Sequence, residues 1–211
     1  MKNLKIGTQL MLGFATVLFF VILLGAISYL QSDEIHLQTE TIYNHPLMTR
    51  RALEEIRSSI LLMRINIRDY LLAEDAKAYQ SILNDMAVNQ TDVPLEIGKL
   101  RQCYLGPQSD IDEMFREFTK WVSVCETTIR LVDSGKLKEA RDRHLPGGIA
   151  PTQALKVLGA LKKISDFAKK KGDELYNNSV ALNKSLKRQL ILLVAAILLS
   201  LIHISEPTRP Y

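Results

Sequence analysis

The apolar positions of the chain fall into three patterns, and each predicts a different element. From Leu10 to Leu30 the sequence reads LMLGFATVLFFVILLGAISYL, without a charged residue. A helix needs about 20 apolar residues to cross a hydrocarbon core, so this stretch predicts a transmembrane helix over 10–30. A shorter apolar run, LILLVAAILLSL, lies between Leu190 and Leu201. It predicts a second transmembrane helix over 189–201, cut short. Between the two, apolar residues recur at spacings of three and four, the signature of amphipathic helices. Segment 31–188 therefore reads as a helical domain held between two membrane helices, with residues 1–9 as a cytoplasmic tail.

Inside that domain the helices can be placed one by one. Ile35 and Ile42 continue the first helix beyond Leu30. Pro46 predicts a kink, because proline removes an amide donor and clashes with the preceding turn. Leu53, Ile56, Ile60, Met63, Ile67 and Leu71 then share one face. Asp75 is the expected N-cap of the next helix, which runs to Tyr104 on Ile82, Met86, Val93, Ile97 and Leu100. Pro94 and Gly98 predict a break or bend within it. Ile111, Phe115, Phe118, Val122, Cys125, Ile129 and Val132 alternate spacings of four and three, a bundle seam. Asp133-Ser134-Gly135 stops that helix. A short amphipathic piece, Lys136 to His144, leads to Leu145-Pro146-Gly147-Gly148.

The last helix is expected from Pro151, without interruption, into the second span. Leu161, Ala168, Leu175 and Leu182 recur every seven residues along it, beside a row of Leu158, Ser165, Gly172, Ser179 and Leu186. The small residues of that row allow close helix approach. The fold class is all-α, a membrane-anchored antiparallel four-helix bundle with two transmembrane helices.

Composition narrows this picture without redirecting it. Net charge is +4 and the pI about 9.0, too mild to argue for nucleic acid. Cys103 and Cys125 cannot make a disulfide framework, and their different heights in neighbouring helices argue against a single bridge. The apolar run from Leu10 exceeds a signal-peptide core and lacks a clean small-x-small site, so it reads as an uncleaved anchor. Lys2 and Lys5 favour a cytoplasmic N-terminus, which puts 31–188 outside. Lys184, Lys187 and Arg188 argue the other way. Long segments translocate largely regardless of charge, so the N-terminal lysines decide. The expected location is the inner (cytoplasmic) membrane, crossed twice, with the bundle on the periplasmic or extracellular side.

Candidate chemistry is sparse. Arg57, Arg64 and Arg68 are offset by seven and eleven residues and share a helical face beside the apolar seam. They form the candidate ligand-binding set, an anion pocket for a carboxylate or phosphate. The opposing reading is a solvated flank paired with Asp69, Glu54 or Glu55. A rival pocket would gather Trp121, Arg130 and the loop between helices three and four. His36, His45 and His144 lack metal-site spacing, so no metal and no cofactor are assigned. No phosphate loop, nucleophile elbow or zincin motif appears, and no enzyme activity is expected.

Several stretches resemble the four-helix-bundle sensor domain of methyl-accepting chemotaxis receptors, also found on membrane histidine kinases. Lys5-Ile6-Gly7-Thr8-Gln9-Leu10 with Leu12-Gly13-Phe14 is similar to its start, and Tyr43-Asn44-His45-Pro46 with Arg50-Arg51 to its proline-containing approach. Arg64, Arg68-Asp69 and Leu71-Leu72-Ala73 resemble the end of its first helix. Gly135-Lys136-Leu137 with Glu139-Ala140 resembles its later hinge. The resemblance implies the sensory input module of a transmembrane signalling receptor. It implies a homodimer in the lipid bilayer; the family binds varied ligands, so the expected partner, a small anionic ligand or a periplasmic binding protein, takes its anionic character from the arginines alone. A membrane-tethered helical scaffold without ligand is the alternative. The segment 202–211 departs from the family and resembles translated sequencing-adapter read-through. On that expectation the second span is truncated, and a chemotaxis or histidine kinase output lies beyond it.

Overall fold

The computed structural model describes residues 6–205. The expected cytoplasmic lysines at positions 2 and 5, and the tail from 206 onward, lie outside the described residues. Helix α1 spans Ile6–Ile42 and α2 Met48–Tyr70, joined by a π-helical turn over Tyr43–Leu47. Helices α3 (Ala76–Cys103), α4 (Gln108–Asp133), α5 (Leu137–Asp142) and α6 (Ile149–Ser205) follow. No strand occurs among the described residues, so the all-α expectation holds. The chain forms two compact units, one of residues up to Glu40 with those from Glu174 onward, the other Thr41–Asp173.

In the first unit the apolar residues of α1 face outward. Phe14, Leu18, Phe19 and Ile22 are all well exposed. The uninterrupted helical run Met11–Tyr70 contains the one described stretch long and apolar enough to cross a membrane. The expected second span is helical within α6, and Ile191, Leu192, Leu198 and Leu199 are exposed. It does not reach span length among the described residues. Ser179 Oγ on α6 donates a hydrogen bond to Gln38 Oε1 on α1.

The second unit is the bundle. Pro46 does not end the helical path there. A π-helical turn carries it, with Pro46 buried and the Met48 amide donating to the His45 carbonyl. The extra residue in the turn accommodates the ring that would strike an α-helical carbonyl. On α2 the predicted face is the buried one, with Leu53, Ile56, Ile60, Met63, Ile67 and Leu71 all in the core. A turn at 71–75 reverses the chain. The Asp75 carboxylate caps α3 as expected, accepting from the Ala78 amide at 2.7 Å.

Helix α3 runs through Pro94 and Gly98 without the expected break. Both residues lie on its exposed face, where a carbonyl that proline leaves unpaired need not be buried. Val93, Ile97 and Leu100 meanwhile anchor the opposite face in the core.

The buried face of α4 keeps most of its predicted line and is rotated to one side of it, away from Phe115. Ile111, Phe118, Val122 and Cys125 of the predicted line are buried and Ile129 packs against the core, with Met114, Trp121 and Thr128 buried beside them, whereas Phe115 is 41% exposed. Both lines follow three-four spacing and share Ile111, Phe118 and Cys125. Periodicity alone could not choose between them. Trp121 decides, because only this rotation buries its large surface.

Helix α4 ends in a Schellman motif, with the Gly135 amide donating to the Val132 carbonyl and the Lys136 amide to that of Leu131. Gly135 takes a φ of 75°, which a side chain would oppose. After α5 the chain turns tightly through Gly148, where an added Cβ would stand 2.4 Å from the Arg143 carbonyl oxygen. Helix α6 starts two residues before Pro151, which occupies its first turn, and continues unbroken as expected. Ala154, Val157, Leu161, Ile164 and Ala168 complete the core from α6.

Candidate functional site

The structure separates the three candidate arginines. Arg57 Nε lies 3.8 Å from Glu54, both side chains well exposed, the solvated pairing anticipated as the alternative. Arg64 and Arg68 instead line a groove of about 370 Å³, within the range of small-molecule sites. Arg68 sits 4.0 Å from Asp69, an exposed contact of little strength. Arg64 forms no ion pair or hydrogen bond among the described residues.

The opposite wall of this groove is the rival pocket. Trp121 from α4, His144 from the α5–α6 connection, and Ala150, Pro151 and Ala154 from α6 complete the lining. The two pockets anticipated as competitors are therefore one site. Arg130 is not part of it; its guanidinium donates to Thr127 Oγ1 at 3.1 Å on its own helix.

His144 carried no sequence signal of its own. Its ring Nε2 lies 3.1 Å from Thr128 Oγ1. Burial, reinforced by the charge of Arg143, holds its pKa below the ordinary value of 6.5. Thr128 is fully buried in α4, already donates to the Val124 carbonyl and lies off the line read from the sequence, so no sequence signal pointed to this contact.

A second cleft, larger at about 630 Å³, lies between the π-helical turn, α2 and α3. Arg51, Glu55, Glu96 and Lys99 line it, so its charges are already balanced. Lys99 and Glu96 pair at 2.5 Å. In the α2–α4–α6 groove the lining charges are Arg64 and Arg68, without a lining acid. The groove can attract an anion, and the larger cleft has no such bias. Both cysteines are free and buried, and burial pushes the Cys125 thiol up to about 12, which suppresses thiolate chemistry. No cluster of metal-ligating side chains occurs among the described residues.

No curated protein and no solved structure shows significant similarity to the chain. A family model described as a four helix bundle sensory module for signal transduction matches residues 3–182. That range includes the whole bundle and the apolar helix before it. With the four helices, their core and the charged groove in place, the chain belongs to the four-helix-bundle sensory modules of signal transduction.

Proposed function

We propose that the chain is the input module of a transmembrane receptor that detects a small organic anion in the Arg64–Arg68 groove. The observation that carries this reading is the groove's composition: two guanidiniums, without a lining acid, over an apolar floor. Charge-assisted hydrogen bonds to a carboxylate are the strong kind, and arginine presents them in pairs. In this reading α1 crosses the cytoplasmic membrane and the bundle lies outside it, following Lys2 and Lys5. Ligand bridging α2 to α4 and α6 biases two arrangements of the bundle. Helix α6, continuous from Ile149 to Ser205, carries a shift of about 1–2 Å toward a second span. The module works as a homodimer along α2, where Leu62 and Ile65 are exposed, with Leu72 exposed in the turn just after it.

The test is thermal stability of the full chain in detergent micelles against a panel of carboxylates and inorganic phosphate. A bound anion at a hundred times its Kd stabilises by about 2.7 kcal/mol. Arg64→Ala or Arg68→Ala should weaken that response about tenfold in apparent Kd, roughly 1.4 kcal/mol. A panel without any shift would favour a tethered scaffold. For transmission, Leu175→Pro in a receptor carrying an output domain should abolish signalling. Survival of signalling would refute the continuous-helix route.

A further inference from the structure

The groove holds more than two positive charges. Leu61, Ile65, Trp121, Pro151 and Ala154 give it apolar walls. An inorganic anion would leave those walls in contact with water, whereas an acid with an apolar body would cover them. A third polar element is fixed by the buried threonine. The Thr128 hydroxyl donates to the Val124 carbonyl at 3.0 Å. A hydroxyl has one hydrogen; with it on the Val124 carbonyl, the 3.1 Å contact with His144 is made by an Nε2–H donating to Thr128 Oγ1. The neutral ring then carries its proton on Nε2 and leaves Nδ1 bare. Nδ1 has no partner among the described residues, and His144 lines the groove. The site thus offers two cationic donors and one acceptor whose protonation is set from behind.

We propose that the groove selects small apolar monocarboxylic acids that bear a hydroxyl donor. The carboxylate meets Arg64 and Arg68, the hydroxyl meets His144 Nδ1, and Thr128 is the positioning residue that keeps this nitrogen an acceptor. This rests on the groove being the sensory site and adds the class of ligand it prefers. Loss of the Thr128 hydroxyl frees the imidazole to take the other tautomer, which would present a donor to a donor.

The experiment is calorimetric titration of the full chain in micelles with phenylacetate, 3- and 4-hydroxyphenylacetate, and inorganic phosphate. The expected result is at least fivefold tighter binding of one hydroxylated acid than of phenylacetate, with phosphate weakest. Thr128→Val should bring that ratio to about one while phenylacetate affinity stays within about twofold, and Thr128→Ser should restore it. Nitrogen-15 spectra of the histidines supply a readout that needs no ligand and no variant. His144 should show the Nε2–H tautomer in the unsubstituted chain. Equal binding of the three acids, a preference that survives Thr128→Val, phosphate binding as tightly as the acids, or an Nδ1–H tautomer would each overturn the proposal and leave the anion site standing. Absence of binding by every probe would overturn this proposal and count against the sensory reading of the groove as well.

Discussion

Lys163 on α6 reaches the Asp110 carboxylate in the first turn of α4 at 3.0 Å, and the same carboxylate accepts from the Tyr104 hydroxyl at 2.8 Å. Lys163 also contacts Glu113 at 2.9 Å. Asp110 is buried, which pushes its pKa up, but the hydrogen bonds from Lys163 and Tyr104 outweigh that and leave it below the usual carboxylate range. One acidic side chain therefore ties the α3–α4 turn to α6. Asp110→Ala leaves the buried Tyr104 hydroxyl without its acceptor and should cost about 1–3 kcal/mol. Tyr104→Phe removes donor and demand together and should cost less. Urea unfolding of the full chain checks the order, and equal losses would show that the orphaned Tyr104 hydroxyl carries no penalty of its own.

The rotation of α4 makes a sharper contrast. Trp121 is 1% exposed and Phe115 41%. Trp121→Ala should cost about 3–5 kcal/mol and Phe115→Ala below about 1 kcal/mol. Thermal unfolding of the two variants reads this directly. A larger loss at Phe115 would restore the seam expected from periodicity.

Gly172 on α6 faces Pro46 of the π-helical turn, and an added Cβ would lie 3.4 Å from the proline Cβ. That is ordinary contact, so Gly172→Ala should be tolerated and gain up to about 1 kcal/mol from helix propensity. Gly172→Leu must displace the buried Pro46 and should lose about 1–3 kcal/mol. Equal melting temperatures for the two variants would mean that the approach is loose.

His144 gives a pH dependence of known sign. Its pKa is lowered in the folded chain, so the neutral ring is the folded form. Its contribution is present above the ordinary value near 6.5 and is lost as pH falls through the lower folded value. Burial lowers it first, and the positive charge of Arg143 acts in the same direction. Stability should decline below pH 6.5 more steeply in the unsubstituted chain than in His144→Gln. Parallel melting curves across pH 5–8 would assign the acid sensitivity to the carboxylates instead.

Much of the fold was legible because helix periodicity is a local property. The buried face of α2, the Asp75 cap, the stop at Gly135 and the unbroken α6 follow from residues within a turn or two of each other. Rotation of a helix about its axis is not local. Two lines on α4 satisfied the same spacing, and only the packing of Trp121 against the other helices separated them. Pro94 shows the converse, since a local breaker was overridden by the core contacts of Val93, Ile97 and Leu100.

The candidate site divides along the same line. Sequence alone determined that Arg64 and Arg68 share a face beside the apolar seam, because side-chain direction on a helix follows from residue number. It could not tell that Arg57 pairs with Glu54 away from the groove, or that Trp121 lines the same groove as Arg64. It also gave His144 no weight, since the spacing of lone histidines carries no meaning. Only the tertiary structure decided those points, because they depend on which helix faces which across the bundle. That choice is made by burying the largest side chains and satisfying the buried Thr128 at the same time.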